Sequence, residues 1–235
     1  YRAGDEIDLR GLEKAQNRAD SFELMDFFAE PVTPGYNKNQ IRGYGLTEWR
    51  DAFTPRQLVA HYELFDVVDE IKEEIREVHD RKKSQLLIAL IAQAVDRQVR
   101  HNNRLAAWHD LFGYGKKVFT AHNYSIKRMF VDNNIIAHRR GLERQFEHVI
   151  DNFDELAEQV SQVDAQIKIS NEDATRLSEQ IDDNSIETAV VDPPYFDSVM
   201  YGEMSDFMYL TQGRLLSDVF PELMPDMSND EQMVV

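Results

Sequence analysis

The sequence predicts an α/β protein in which part of a doubly wound sheet, near the C-terminal end, is joined to a substantial helical part. Three observations carry this expectation. Apolar residues recur at helical spacing over 55–75, 83–100 and 142–160, and two short β-branched stretches, 166–170 and 187–191, flank a short helical segment. The connection between those stretches is long enough for parallel pairing, so a right-handed β-α-β unit is expected. The chain accordingly divides into an extended arm or loop region (1–50), a helical region (51–160) and an α/β half (161–235).

Each element has its own warrant. Residues 1–50 begin with a polar amphipathic stretch and continue through Pro31, Pro34, Gly35, Gly43 and Gly45, punctuation that reads as a loop or arm. The first strong helix opens at Thr54, a good N-cap, with Pro55 at the first helical position where its missing N–H costs nothing. Leu58, Val59, Tyr62, Phe65, Val68, Ile71 and Ile75 then repeat along one face. A second helix, Lys83 to Arg100, carries "LLIALIAQAV", apolar on most sides and therefore central to a bundle. A third, Leu142 to Val160, spaces Leu142, Phe146, Val149, Phe153, Leu156 and Val160 alternately four and three apart, the narrow seam of a helix facing one partner. "GEMSDFMYLTQGRLL" reads as another helix, and residues 101–140, with Gly113, Gly115 and several Asn, give no clear assignment.

The totals narrow the class. At 235 residues the chain can bury a real core, and its start at Tyr1 without methionine suggests a piece of a longer protein. The longest apolar run, Leu86 to Ala92, is too short to span a bilayer. No cysteine is present, which excludes disulfides and thiolate zinc sites and fits a reducing compartment, by default the cytoplasm. The net charge of −17 is unevenly spread: Arg100 to Arg144 holds nine Lys or Arg against three acids, a local +6 that leaves −23 on the remainder. Such an acidic coat also suits a high-salt habitat.

The motif that carries chemistry is Asp192-Pro193-Pro194-Tyr195, placed at the carboxyl end of an expected parallel strand, where open α/β sheets bind ligands. It fits methyl transfer to an exocyclic amino nitrogen. An aryl amine is a poor nucleophile because its lone pair is spread into the ring. The Asp192 carboxylate and the Pro193 carbonyl would each accept one N–H, freeing that pair; proline fixes φ and brings no competing donor. Tyr195 would stack on the target base, which must leave the duplex to be reached. A chance match of the four residues in a chain this long is on the order of one in a thousand.

The stretch resembles motif IV of amino-directed, S-adenosyl-L-methionine-dependent nucleic-acid methyltransferases. The longer strings "VVDPPYFDSVMYGEMSDFMYL", "FPEL" at 220–223 and "YGLTEWRDAFTPRQLVA" at 44–60 look like the large prokaryotic adenine-specific DNA methylases that usually include a zinc ribbon. The resemblance covers roughly residues 40–223 and implies a Rossmann-like methyltransferase sheet. By the same resemblance Phe53, Thr54 and Pro55 match the segment that lies against the methionine end of the cofactor, though an ordinary helix cap accounts for them equally well. Asp173, three residues beyond the first expected strand, matches the acid that accepts from the cofactor's adenine amino group; a first-turn acid is the plain alternative, and Asn171 or Glu172 would serve in its place. In that group the glycine-rich cofactor loop and the ribbon lie upstream. Neither is in this chain, whose Gly43-Tyr44-Gly45 and Gly113-Tyr114-Gly115 follow no convincing strand.

The basic stretch interleaves Lys116, Lys117, Lys127, Arg128, Arg139 and Arg140 with Phe119, Tyr124 and Phe130, a composition suited to nucleic-acid backbone tracking and base stacking, or else to a solvated loop with core aromatics. The seven histidines show no pair at helical ligand spacing, so no metal is expected. Asp197, Tyr201 and Asp206 follow the motif as possible pocket residues, with Tyr201 more at home in a core. The sequence therefore implies an adenine-directed DNA methyltransferase fragment that takes S-adenosyl-L-methionine and works with DNA, with upstream segments of the same enzyme, and with no membrane. Two alternatives stay open: the same chemistry on cytosine, RNA or a protein glutamine, and a non-catalytic binding or assembly module.

Overall fold

The computed structural model describes residues 5–109, 114–116, 118, 123–124, 126, 130–136, 141–165, 176, 181–192 and 200–223. Within them the protein is helical: α1 (Glu6–Ala19), α2 (Lys38–Gly43), α3 (Pro55–Val78), α4 (Arg81–His101), α5 (Leu142–Ser161) and α6 (Tyr201–Leu216). The sheet is limited to two strands, β1 (Trp108–His109) and β2 (Tyr114–Gly115), paired antiparallel with Trp108 opposite Gly115. A β-carbon on Gly115 would stand 2.5 Å from the His101 carbonyl, so only glycine admits that close approach.

This corrects the expected α/β class with its partial Rossmann-like sheet. The second expected strand, 187–191, is irregular and exposed, with Val190 94% and Val191 82% accessible. The physical reason is that β-branched residues favour a strand only where a neighbouring strand and a covering layer receive them. Among the described residues no third strand exists to do so. The first expected strand, 166–170, lies outside the described residues.

In α3 and α4 an apolar period and a side-chain cap coincide. In α3, Thr54 Oγ1 accepts the Gln57 N–H while Gln57 Oε1 accepts the Thr54 N–H, a reciprocal capping box with Pro55 just inside it. Asp80 caps α4 through the Lys83 N–H. α4 is central, packing against α3, α5 and α6 and burying Ile88, Ala92, Val95 and Val99. α5 rests on α4 through its first half, where Val149 is buried, while Leu156 and Val160 beyond stay exposed. The narrow seam is present, but only half of it is covered.

Residues expected as an arm are instead core. α1 lies on α3, and Phe27, Phe28, Val32, Ile41, Leu46 and Trp49 are all buried. Two extended pieces zip together through Val32 N–H to Thr47 O (2.8 Å) and Trp49 N–H to Glu30 O (3.0 Å). α2 ends where Gly45, at φ +91°, lets the Leu46 and Gly45 amides return to the Ile41 and Arg42 carbonyls. Apolar residues here follow neither helical nor strand spacing. Burial against α3 and α6, not local period, decides their structure.

Candidate functional site

Asp192 lies at the surface and makes no ion pair or hydrogen bond with any described residue. Pro193, Pro194 and Tyr195, and with them Asp197, fall outside the described residues. Asp173, Asn171 and Glu172 do as well. What the structure does place is α6, which begins six residues after Tyr195 in sequence, and the Phe53-Thr54-Pro55 corner.

These two meet. The Phe53 ring stacks on Phe207 of α6 with centroids 6.0 Å apart and planes inclined by 18°. Trp49 adds an edge contact to Phe207 at 5.7 Å, and Phe28 and His61 close on Phe53 from other sides. The Phe53 ring is thus held in the core, 5% exposed, and the Thr54 hydroxyl serves the helix cap. His61 is fully buried beside it, its Nε2 2.9 Å from the Asn102 carbonyl, and burial pulls it down to about 4. It is a neutral packing residue at ordinary pH.

The start of α6 is fixed by charge. Glu203 accepts main-chain N–H groups from Tyr36 (2.6 Å), Asn37 (2.7 Å) and Lys38 (3.1 Å), one carboxylate holding the turn into α2. Gly35 makes room for it, since a β-carbon there would lie 2.7 Å from the carboxylate. One turn on, Asp206 takes the Lys38 ammonium at 2.5 Å, with Thr33 Oγ1 at 2.6 Å from the same nitrogen. Both side chains are buried. The Tyr124 hydroxyl donates to the Glu203 carbonyl at 2.7 Å, and burial, then the Asp206 charge, holds its phenol well above the ordinary value. Tyr124 is therefore a neutral donor in the core and is not available for base stacking.

Other expected positions are scattered. Lys116 is half-buried, its amide donating to the Ala107 carbonyl, and Phe130 is partly exposed. Lys117, Lys127, Arg128, Arg139, Arg140 and Phe119 lie outside the described residues. Tyr201, expected in the core, is half exposed. Among the described residues no three His, Asp or Glu converge to hold a metal, and no helix is long and apolar enough to cross a membrane. A cavity of about 520 Å³ between the α3–α4 turn and the end of α6, lined by Arg76, His79, Arg81, Asp218 and Pro221 among others, includes none of the expected site residues.

Sequence reasoning missed Lys38, and it read Glu203 only as part of a helix. A lysine in "NKNQIRG" looks solvated; its partner stands 168 positions away, and no spacing rule links the two. Comparison with protein-family models, with curated proteins and with solved structures gives no match for this chain.

Proposed function

We propose that the chain is the amine-holding part of an S-adenosyl-L-methionine-dependent methyltransferase that acts on the exocyclic amino group of adenine in DNA, in the cytoplasm. One observation supports the reading above others: Phe53 packs on Phe207. Two segments about 150 residues apart in sequence, one matched to the methyl donor and one following the amine-binding corner, share a single rigid support. Methyl transfer needs donor and acceptor held in line at near contact distance, and such a shared support is what limits their relative motion. The exposed Asp192 carboxylate is compatible with the role of an N–H acceptor, with the Pro193 carbonyl as its companion.

The described residues do not by themselves fit the cofactor. Gly43-Tyr44-Gly45 closes the C-terminal end of α2, where carbonyls rather than free amides point outward, so it offers no cradle for the cofactor's carboxylate. Upstream segments of the same enzyme are proposed to supply that cradle and to cover Val190 and Val191. This chain's own part is to orient the amine and shield it from water.

The test is transfer of a labelled methyl group from S-adenosyl-L-methionine to duplex DNA by the chain joined to its preceding segments. Label in N6-methyladenine is expected. Label only in cytosine, RNA or a glutamine peptide moves the substrate within the same chemistry, and no label in any of them contradicts the reading. A non-catalytic assembly role is favoured by one observation, the uncovered Leu156 and Val160 on α5, and a silent assay would leave that reading standing.

A further inference from the structure

The apolar stripe by which α5 rests on α4 runs on past the part that α4 covers. Near its start Gln145 and Val149 are buried, Leu142 and Phe146 are half-buried, and Gln145 Oε1 accepts from Arg97 of α4 at 3.2 Å. Beyond Val149 the stripe emerges. Phe153 is half-buried, while Ile150, Leu156, Val160 and, just past the helix end, Val163 are 53%, 57%, 43% and 54% exposed. Single apolar residues scattered on a surface need no explanation, but a row aligned on one helix face leaves an apolar strip in water.

Two properties of the row say what fits it. The first is its order. Phe153, Leu156, Val160 and Val163 are spaced three, four and three apart, the same read forward or backward. Reversal exchanges 153 with 163 and 156 with 160, apolar for apolar, as a two-fold interface requires, because there each residue is met by the one it meets. The second is charge. The positions flanking the row are Ile150 and Ala157 on one side and Asn152 and Gln159 on the other, all uncharged. Asp151, Asp154, Glu155 and Glu158 fall further round the helix, and no Lys or Arg lies between 145 and 165. A basic helix would find no carboxylate at the flanking positions that pair across a helix–helix seam. A second copy of the same acidic helix would meet no like charge there.

We propose that the second half of α5 pairs antiparallel with the same segment of a second copy of this chain. α4 occupies the first half, so the overlap is limited to residues 150–163, about 21 Å of helix. Antiparallel pairing sets Leu156 of each copy against Val160 of the other and carries the two α4 helices to opposite ends of the pair. A contact of this length stands at the small end of specific interfaces, which bury about 1,200–2,000 Å² in total, so the dimer is weak and depends on concentration. The proposal does not rest on the methyltransferase reading.

Sedimentation equilibrium of the chain over about 1–200 µM tests the pairing, and a monomer–dimer equilibrium is expected. Leu156→Glu keeps a good helix former at an exposed position and places a charge in the seam; it should weaken dimerisation at least about tenfold with the thermal midpoint unchanged. Ile186→Glu, exposed but outside the row, should leave the equilibrium as it is. Because the chain has no cysteine, oxidation reads the direction of pairing. Leu156→Cys chains mixed with Val160→Cys chains should cross-link to each other faster than either does to itself. A monomer throughout the range, a Leu156→Glu chain that dimerises like the parent, or faster cross-linking of each variant to itself overturns the proposal. So does loss of the dimer once the chain is joined to its preceding segments, since the row then belongs to an intramolecular partner.

Discussion

Lys38 and Asp206 show how much of the junction between α2 and α6 depends on single atoms. Their buried pair ties the turn into α2 to the second turn of α6, and Thr33 completes the ammonium's shell. Removing one partner leaves the other charge in a low-dielectric interior. Lys38→Met should therefore cost about 3–5 kcal/mol in urea denaturation, whereas Lys38→Met with Asp206→Leu should recover most of it, because two apolar groups need no partner. A double variant as unstable as the single one would contradict this account. At the same scale the sequence was readable where a residue acts on its neighbours. Thr54 and Pro55 form the expected cap because the Thr54-x-x-Gln57 pattern is local. Lys38 was not readable, because its role comes from a residue met only after folding.

At the scale of elements, α3 and α4 carry two buried titrating groups of opposite tendency. His61 is held near 4 against an ordinary 6.5 by burial, so the unfolded chain takes up its proton first as pH falls. Its contribution, about 3 kcal/mol, is full above pH 6.5 and lost on the way down to about 4. Asp96 is pushed up to about 6 from an ordinary 3.8, by burial against the opposing pull of Arg100. The folded chain keeps a proton that the unfolded chain releases, so this contribution, also about 3 kcal/mol, is full below 3.8 and lost as pH rises through 6. The two oppose each other across pH 4–6.5. Asp96→Asn, permanently neutral, should therefore gain stability relative to the parent by about 3 kcal/mol between pH 4 and pH 7, measured by denaturant titration at each pH. A difference independent of pH would contradict the assignment. α3, α4, α5 and α6 were all legible as helices in the sequence, α3 from period and cap together, α4 from its apolar run and α5 from its period. The 22–53 segment was not: Phe28, Ile41 and Trp49 are buried without any repeat in sequence. α5 displayed its seam honestly, yet periodicity cannot tell how much of a seam finds a partner.

For the whole molecule, the expectation of an α/β sheet failed on one point of physics. "ETAVVD" has the composition of a strand, but a strand is a property of a pair, and the described residues provide no neighbour for it. The motif at its end was read from its place after such a strand, and Pro193 to Tyr195 lie outside the described residues. The helical body packs Phe53 against Phe207 of α6. Asp192 itself is exposed and takes no part in that packing. The most direct measurement is therefore Asp192→Ala in the enzyme complete with its upstream segments, reading methyl transfer and thermal midpoint together. The account predicts loss of at least about a hundredfold in turnover, the scale of a positioned catalytic hydrogen bond, with the midpoint unchanged; retained turnover, or a loss explained by unfolding, would contradict it.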